Sequence, residues 1–264
     1  MDTVESVSRL PSIDGGRATD TSMTSLPSPR GNQLLAVLPA TDLEALAGKL
    51  EWVAMPLGDL LYEPGEKLKY GYFPVTAIVS LHYVMASGAS AEIASVGNEG
   101  VVGTALLLGS DTTTSSAVVR TAGYGYRISS QMLKQEFNRA GVWRSAMLRY
   151  IHTLMAQMSL TVACNRHHTI EQQLCRWLLS TFDRGISSDL VITQELISTM
   201  LGVRREGVTD AAGKLQSAGL IRYRRGHVSV VAVSGLEARA CECYAVVRTE
   251  MNSLLADYRN NRSA

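Results

Sequence analysis

Ile192 to Ile221 reads ITQELISTMLGVRREGVTDAAGKLQSAGLI. Thr193 is placed to cap a short first helix, and Glu195 lies in its first turn, where the helix dipole favours an acid. Leu196, Ile197, Met200 and Leu201 share one face of that helix. Gly202 supplies the positive-φ residue that ends it. A second helix, over residues 204–217, follows Val203. Its inner face carries Val208, Ala211, Ala212 and Leu215, and its outer face Arg205, Glu206, Thr209 and Asp210. Gly219 stops it, and Leu220 and Ile221 lead into a strand. Two short helices joined by a glycine turn, the second with a polar outer face, read as a helix-turn-helix. The polar face is the one suited to base edges.

Short amphipathic helix pairs are common, so the flanking sequence decides the reading. Arg222, Tyr223, Arg224 and Arg225 precede Gly226, and Val228 to Val231 follow. This is a β-hairpin with a glycine tip and an arginine cluster. A hairpin behind a recognition helix is a wing, whose arginines can neutralise phosphates.

With these residues in place the chain resembles the Crp/Fnr superfamily of bacterial transcription regulators. Gly202, Arg205, Glu206 and Val208 match the G-x-x-R-E-x-V core of its winged helix, and Leu220-Ile221 matches its exit. The similarity runs from about Gln33 to about Leu255. It implies that Arg205 donates to a guanine edge and that Glu206 accepts from a cytosine amino group, pairings that groove chemistry also favours. Thr209 and Asp210 complete the base-reading face. Thr193, Arg204, Arg222, Arg224 and Arg225 are the candidate phosphate contacts. Two departures stand out: Arg204 replaces the family's serine or threonine cap, and Asp210 replaces a basic residue.

The chain has 264 residues, enough for two modest domains, and its hydrophobic fraction of 46% suits a globular protein. Net charge is +1, unevenly placed. From residue 166 onward 13 Lys+Arg face 10 Asp+Glu, giving +3, while the remainder has 12 against 14, giving −2. That mild asymmetry agrees with a basic C-terminal domain. There is no membrane-span run and no signal-peptide pattern, so a cytoplasmic location is expected. Cys164, Cys175, Cys241 and Cys243 fall in no zinc spacing and read as reduced, partly buried thiols, with no metal expected. Cys241 and Cys243, two apart on one helix, should point to different faces.

Residues 1–31 lack periodicity and read as a disordered tail. Residues 32–140 form the next unit. Thr41 to Glu44 has the form of a capping box. Strands are expected at Met55 to Tyr62, Tyr70 to Phe73, Ala77 to Met85, Ala91 to Val96, Val118 to Thr121 and Tyr124 to Ile128. Short strands and frequent turns indicate a double-sheet roll. The resemblance makes this a cyclic-nucleotide-binding-like sensor domain. Relatives hold the nucleotide with a Gly-Glu pair and a later Arg-Ser pair. Here the matching positions are Gly103-Thr104 and Ser115-Ser116. Without the arginine a phosphate loses its charge-assisted partner, so cyclic nucleotide is not expected to bind. An iron–sulfur cluster is not expected either, because the N-terminal cysteine cluster of such relatives is missing. Some relatives ligate haem. His82 keeps that cofactor in consideration, and a lone histidine reads first as a packed or hydrogen-bonded one.

Residues 141–166 read as one long apolar helix. The resemblance implies that Met147, Ile151, Leu154 and Met158 form a seam with a second copy, with Thr161 setting register; packing against its own roll is the alternative. Adjacent His167 and His168 diverge by about 100° and make a poor chelate. Residues 167–264 form the winged helix-turn-helix with a helical extension, opened at Ser234 or Gly235 and running to about Tyr258.

The expected fold is therefore α+β: a double-sheet β-roll, a long dimerisation helix and a C-terminal winged helix-turn-helix. The expected function is a non-enzymatic homodimeric transcription regulator bound to a palindromic DNA operator, with RNA polymerase as a family-implied partner. A protein-binding scaffold with a degenerate reader is the alternative, and Asp210 is its best support. A metal-holding jelly-roll enzyme is the weakest reading, because the roll offers only His82 as a histidine ligand.

Overall fold

The computed structural model describes residues 27–184, 189–224 and 226–260. The expectation of a disordered tail lies outside the described residues up to position 26, as does the phosphate-contact role of Arg225. Residues 29–31 belong to the fold and not to a tail. They form a 3-10 turn, at whose start Ser28 accepts from the Arg30 N–H. Asn32 then opens α1 (Gln33–Ala36). Its buried side chain accepts from the N–H groups of Leu34 and Leu35 and donates to the carbonyls of Pro74 and Gly100, at 2.9 Å each. α2 (Ala40–Ala47) starts directly after Pro39, which moves Thr41 inside the first turn, and the expected capping box does not form.

The roll has two antiparallel sheets. One orders β1 (Glu51–Met55), β7 (Gly123–Ser129) and β3 (Tyr70–Pro74). The other orders β2 (Leu60–Tyr62), β6 (Ser116–Thr121), β4 (Ile78–Val84) and β5 (Ser90–Val96). The single strand expected from Met55 to Tyr62 is two strands in different sheets. Pro56 brings no N–H to a ladder, and Gly58 takes φ +87°, so the chain crosses between sheets there. A helix absent from the sequence reading, α3 (Ser130–Asn138), follows β7, with Ser129 as its cap and Leu133 and Phe137 buried. Ala140 and Gly141, both at positive φ, separate it from α4 (Val142–His167).

The C-terminal unit begins at α5 (Ile170–Phe182), opened by a capping box of Thr169 and Gln172. A small sheet of β8 (Asp189–Val191), β10 (His227–Val230) and β9 (Ile221–Arg224) backs α6 (Gln194–Leu201) and α7 (Arg205–Ser217). The extension is two helices, α8 (Val233–Arg239) and α9 (Glu242–Asn260), because the chain turns at Ala240 and Cys241. Among the described residues, no helix is long and apolar enough to cross a membrane.

α4 divides its circumference into three sides. Trp143, Ala146, Met147, Tyr150, Ile151 and Leu154 are buried in the core of the roll. α9 runs antiparallel along a second side, with Arg149 donating to the Ser253 carbonyl at 3.1 Å near one end and Cys164 beside Cys241 near the other. The third side is open. Leu148, Met155 and Val162, spaced seven apart, are 45%, 61% and 69% exposed, and exposed Ser145, His152 and Ser159 alternate with them. The expected seam is therefore corrected. Met147, Ile151 and Leu154 serve the roll of their own chain, Met158 packs at its margin, and Thr161 is buried with its hydroxyl on the Gln157 carbonyl. The sequence periodicity marks two apolar stripes, and the more hydrophobic one is the intramolecular one.

The two units dock through buried polar groups. The Arg120 guanidinium lies 3.5 Å from Glu92, donates to Thr181 at 3.0 Å and stacks 4.5 Å from the Trp177 ring centre. Arg184 pairs with Glu99 at 2.9 Å and donates to the Ser95 carbonyl. α6 lies against β5, so that a Cβ on Gly202 would come within 3.2 Å of that of Ala91.

Leu154→Ala should destabilise the protein by about 2–5 kcal/mol through the cavity it leaves, measured by urea denaturation. A loss below about 0.5 kcal/mol, typical of surface substitutions, would place Leu154 outside the core.

Candidate nucleic-acid interface

The helix pair has the local geometry its sequence dictates. The Thr193 hydroxyl accepts from the Leu196 N–H, capping α6. Gly202 takes φ +65° at its C-terminus, a conformation costly for other residues. α7 then starts at Arg205, with Arg204 in the N-cap position and no side-chain cap bond. The departure from serine or threonine thus leaves the first N–H groups of α7 without a side-chain acceptor, at an end where the helix dipole favours anions. Val208, Ala211, Ala212 and Leu215 are buried as expected.

Arg204, Arg205, Glu206, Thr209 and Asp210 are all exposed, on one side of the start of α7. Two of them already have partners. The Thr209 hydroxyl donates to Gln194 Oε1 at 2.8 Å, which braces α7 against the first residue of α6. Asp210 pairs with Lys214 Nζ at 2.8 Å. Lys214 is the residue the sequence reading passed over, although a four-residue spacing from an acid on a helix signals such a pair. It offsets the charge of Asp210 on this face.

The wing forms as a hairpin with Gly226 at φ +82°. Strand alternation places Arg222 and Arg224 on the exposed face of β9, while Ile221 is buried. Tyr223 between them donates its hydroxyl to the Ile192 carbonyl at 3.2 Å, and its N–H is held by Gln216 Oε1 at 2.7 Å. Those two bonds fix the wing to α7 and to the segment that leads into α6.

In the roll, Gly103 takes φ +100° and Thr104 begins a 3-10 turn to Leu108. Ser115 and Ser116 are buried at the start of β6, with Ser115 beside the Thr113 hydroxyl at 3.2 Å. His82 is buried on β4 opposite Glu92. Burial holds its imidazole below the usual value, with Glu92 partly opposing that shift. The sequence reading did not single out Glu92, Glu99, Arg120 or Arg184, whose isolated charges fall in no motif.

The cysteines depart most from expectation. Cys241 lies before the first residue of α9, and Cys243 one residue inside it. The angular rule for two residues on one helix does not apply across that boundary. Both thiols turn toward Cys164, and His168 joins them, while His167 stays exposed.

Residues 172–239 match the model of the Crp-like helix-turn-helix domain. No curated protein matches the chain. Among solved structures, the chain is similar to a transcriptional regulator of the Crp/Fnr family from Eubacterium rectale, with a TM-score of 0.63 and 13% identity over 80% of this chain and 98% of that one. FixK2 from Bradyrhizobium japonicum gives a TM-score of 0.63 at 14% identity, over 73% of this chain and 98% of that one. The global regulator CLP from Xanthomonas campestris, described as responsive to c-di-GMP, gives 0.54 at 17%, over 73% and 99%. The chain therefore carries a Crp-like, DNA-binding helix-turn-helix domain on the fold of the Crp/Fnr transcription regulators.

Proposed function

We propose that the protein is a homodimeric, sequence-specific transcription regulator that places α7 in the major groove of a palindromic operator. The observation that carries this is the start of α7. A helix packed on its inner face presents Arg204, Arg205 and Glu206 to solvent, beside exposed wing arginines on the same unit. Arg205 and Glu206 read base edges, and Thr209 and Asp210 shape the rest of the face. Thr193, Arg204, Arg222, Arg224 and Arg225 meet phosphates. The scaffold reading loses its main support, because Lys214 already pairs the acid on which it rested.

The dimer forms along the open stripe of α4. Leu148, Met155 and Val162 repeat every seven residues in alternation with Ser145, His152 and Ser159, the pattern of a two-helix seam with polar residues that set register. Met155→Glu would place like charges beside each other across the two-fold axis. Light scattering should then show a folded monomer. A stable Met155→Glu dimer would move the interface off this stripe.

Cyclic nucleotide is not the signal in this reading, because neither Thr104 nor Ser115 can pair a phosphate or hold a ribose as the family's charged residues do. Calorimetric titration with cAMP and cGMP should show no binding. A dissociation constant in the micromolar range, roughly −8 kcal/mol of binding free energy, would overturn this.

Base and phosphate contacts respond differently to mutation. Arg205→Ala should cost about 1–3 kcal/mol of discrimination at one position in each half-site, with a smaller effect on random DNA. Alanine at Arg222 and Arg224 together should weaken binding to every duplex and flatten the log–log salt dependence by up to about two units. Half-sites should lie about one helical turn apart. The measurement is binding to a selected palindrome and a scrambled duplex over a salt series. Equal loss on both duplexes for Arg205→Ala would remove its base-reading role, and wild type without preference for any palindrome would remove sequence specificity.

A further inference from the structure

We propose that Cys164, His168, Cys241 and Cys243 form a tetrahedral site for one thiophilic divalent metal ion, of which zinc is the type. The four ligand atoms all lie within 4.8 Å of one another. An ion bound at about 2.3 Å to sulfur and about 2.0 Å to nitrogen holds neighbouring ligand atoms roughly 3.3–3.8 Å apart. Two separations already fall in that window: Cys164 Sγ to Cys241 Sγ is 3.5 Å, and Cys243 Sγ to His168 Nδ1 is 3.7 Å. The three cysteines are buried and His168 is half-buried, as a closed structural site requires.

The backbone supplies the ligands in two pairs. Cys164 and His168 lie one helical turn apart at the end of α4. Cys241 and Cys243 bracket the first residue of α9. The partial positive charge of that helix start favours thiolate there.

Groups around the ligands meet a second requirement. A metal-bound histidine commonly donates its other ring nitrogen to a carboxylate, which fixes its tautomer. His168 Nε2 lies 3.3 Å from Glu242 Oε1 while Nδ1 faces the thiols. Gln173 holds the backbone on both sides of the pair, donating to the carbonyls of Cys164 and His168. Three thiolates and a divalent ion leave one negative charge. The buried Arg176 guanidinium is close enough to act on Cys164 and offsets it.

A disulfide explains less. It would use Cys164 and Cys241 and leave the convergence of Cys243, His168 and Glu242 without purpose. A cluster of several irons would spread its ligands over different metal atoms, whereas ligand atoms this close surround a single ion. The ion would pin the hinge after α4 to the start of α9, fastening the reader unit to the helix that carries the dimer stripe.

The test is metal content of the full chain purified under reductant, followed by competition with a chromophoric chelator for zinc and by cobalt substitution. Wild type should retain one zinc per chain. Its cobalt form should show the intense visible bands of tetrahedral geometry and thiolate-to-cobalt charge transfer. Cys243→Ser and His168→Ala should each lose the site, and Glu242→Gln should weaken zinc about 10–100-fold. Cys175→Ala, outside the cluster, should bind as wild type does. Four freely titrating thiols in zinc-incubated protein, an octahedral cobalt spectrum, or metal loss in Cys175→Ala equal to that in Cys243→Ser would each overturn the proposal.

Discussion

The fold turns on one constraint, the circumference of α4. A single 26-residue helix has to close the roll, receive α9 and leave a stripe open. The 3.6-residue repeat permits this only if each side keeps its own spacing. Trp143, Met147, Tyr150, Ile151 and Leu154 hold the roll side, and Leu148, Met155 and Val162 stay outside it. A helix with one apolar face would have to give up one of these roles. Tyr150 shows how tightly the first is held: it is fully buried, and a Cβ on Gly100 would collide with its ring.

The contact between roll and reader is of another kind. Its centre is charged, with Arg120 between Glu92, Thr181 and the Trp177 ring and Arg184 on Glu99. Burial lowers the Arg120 pKa to about 10, and Glu92 partly opposes that shift. Such pairs add little net stability, because desolvation consumes much of their attraction. They do specify orientation, since any displacement leaves a buried charge without a partner. An apolar contact of the same size would tolerate sliding.

Local chemistry was largely legible in the chain. Thr193, Gly202 and Gly219 announce the helix ends, and the spacing of Val208, Ala211, Ala212 and Leu215 gives the inner face of α7. Each depends on residues within one or two turns. What could not be read depends on distant partners. Met147 and Met155 are equally apolar, and only the position of the roll decides which is buried. The cysteines are separated by 77 positions between Cys164 and Cys241, so no spacing pattern joins them. The strand expected through Pro56 breaks for a local reason, since proline and the positive-φ Gly58 interrupt pairing despite the apolar run around them.

Gly202 has two neighbours at once. It ends α6 inside the helix-turn-helix, and it abuts Ala91 on β5 of the roll. The turn that sets the angle between the two helices is thus also part of a domain contact. Thermodynamic coupling between two sites is reciprocal. Any compound that altered DNA affinity by moving β5 against this turn would have its own affinity altered by DNA in equal measure. In that sense DNA is a ligand of the roll, and a search for small effectors belongs in the presence of DNA as well as in its absence.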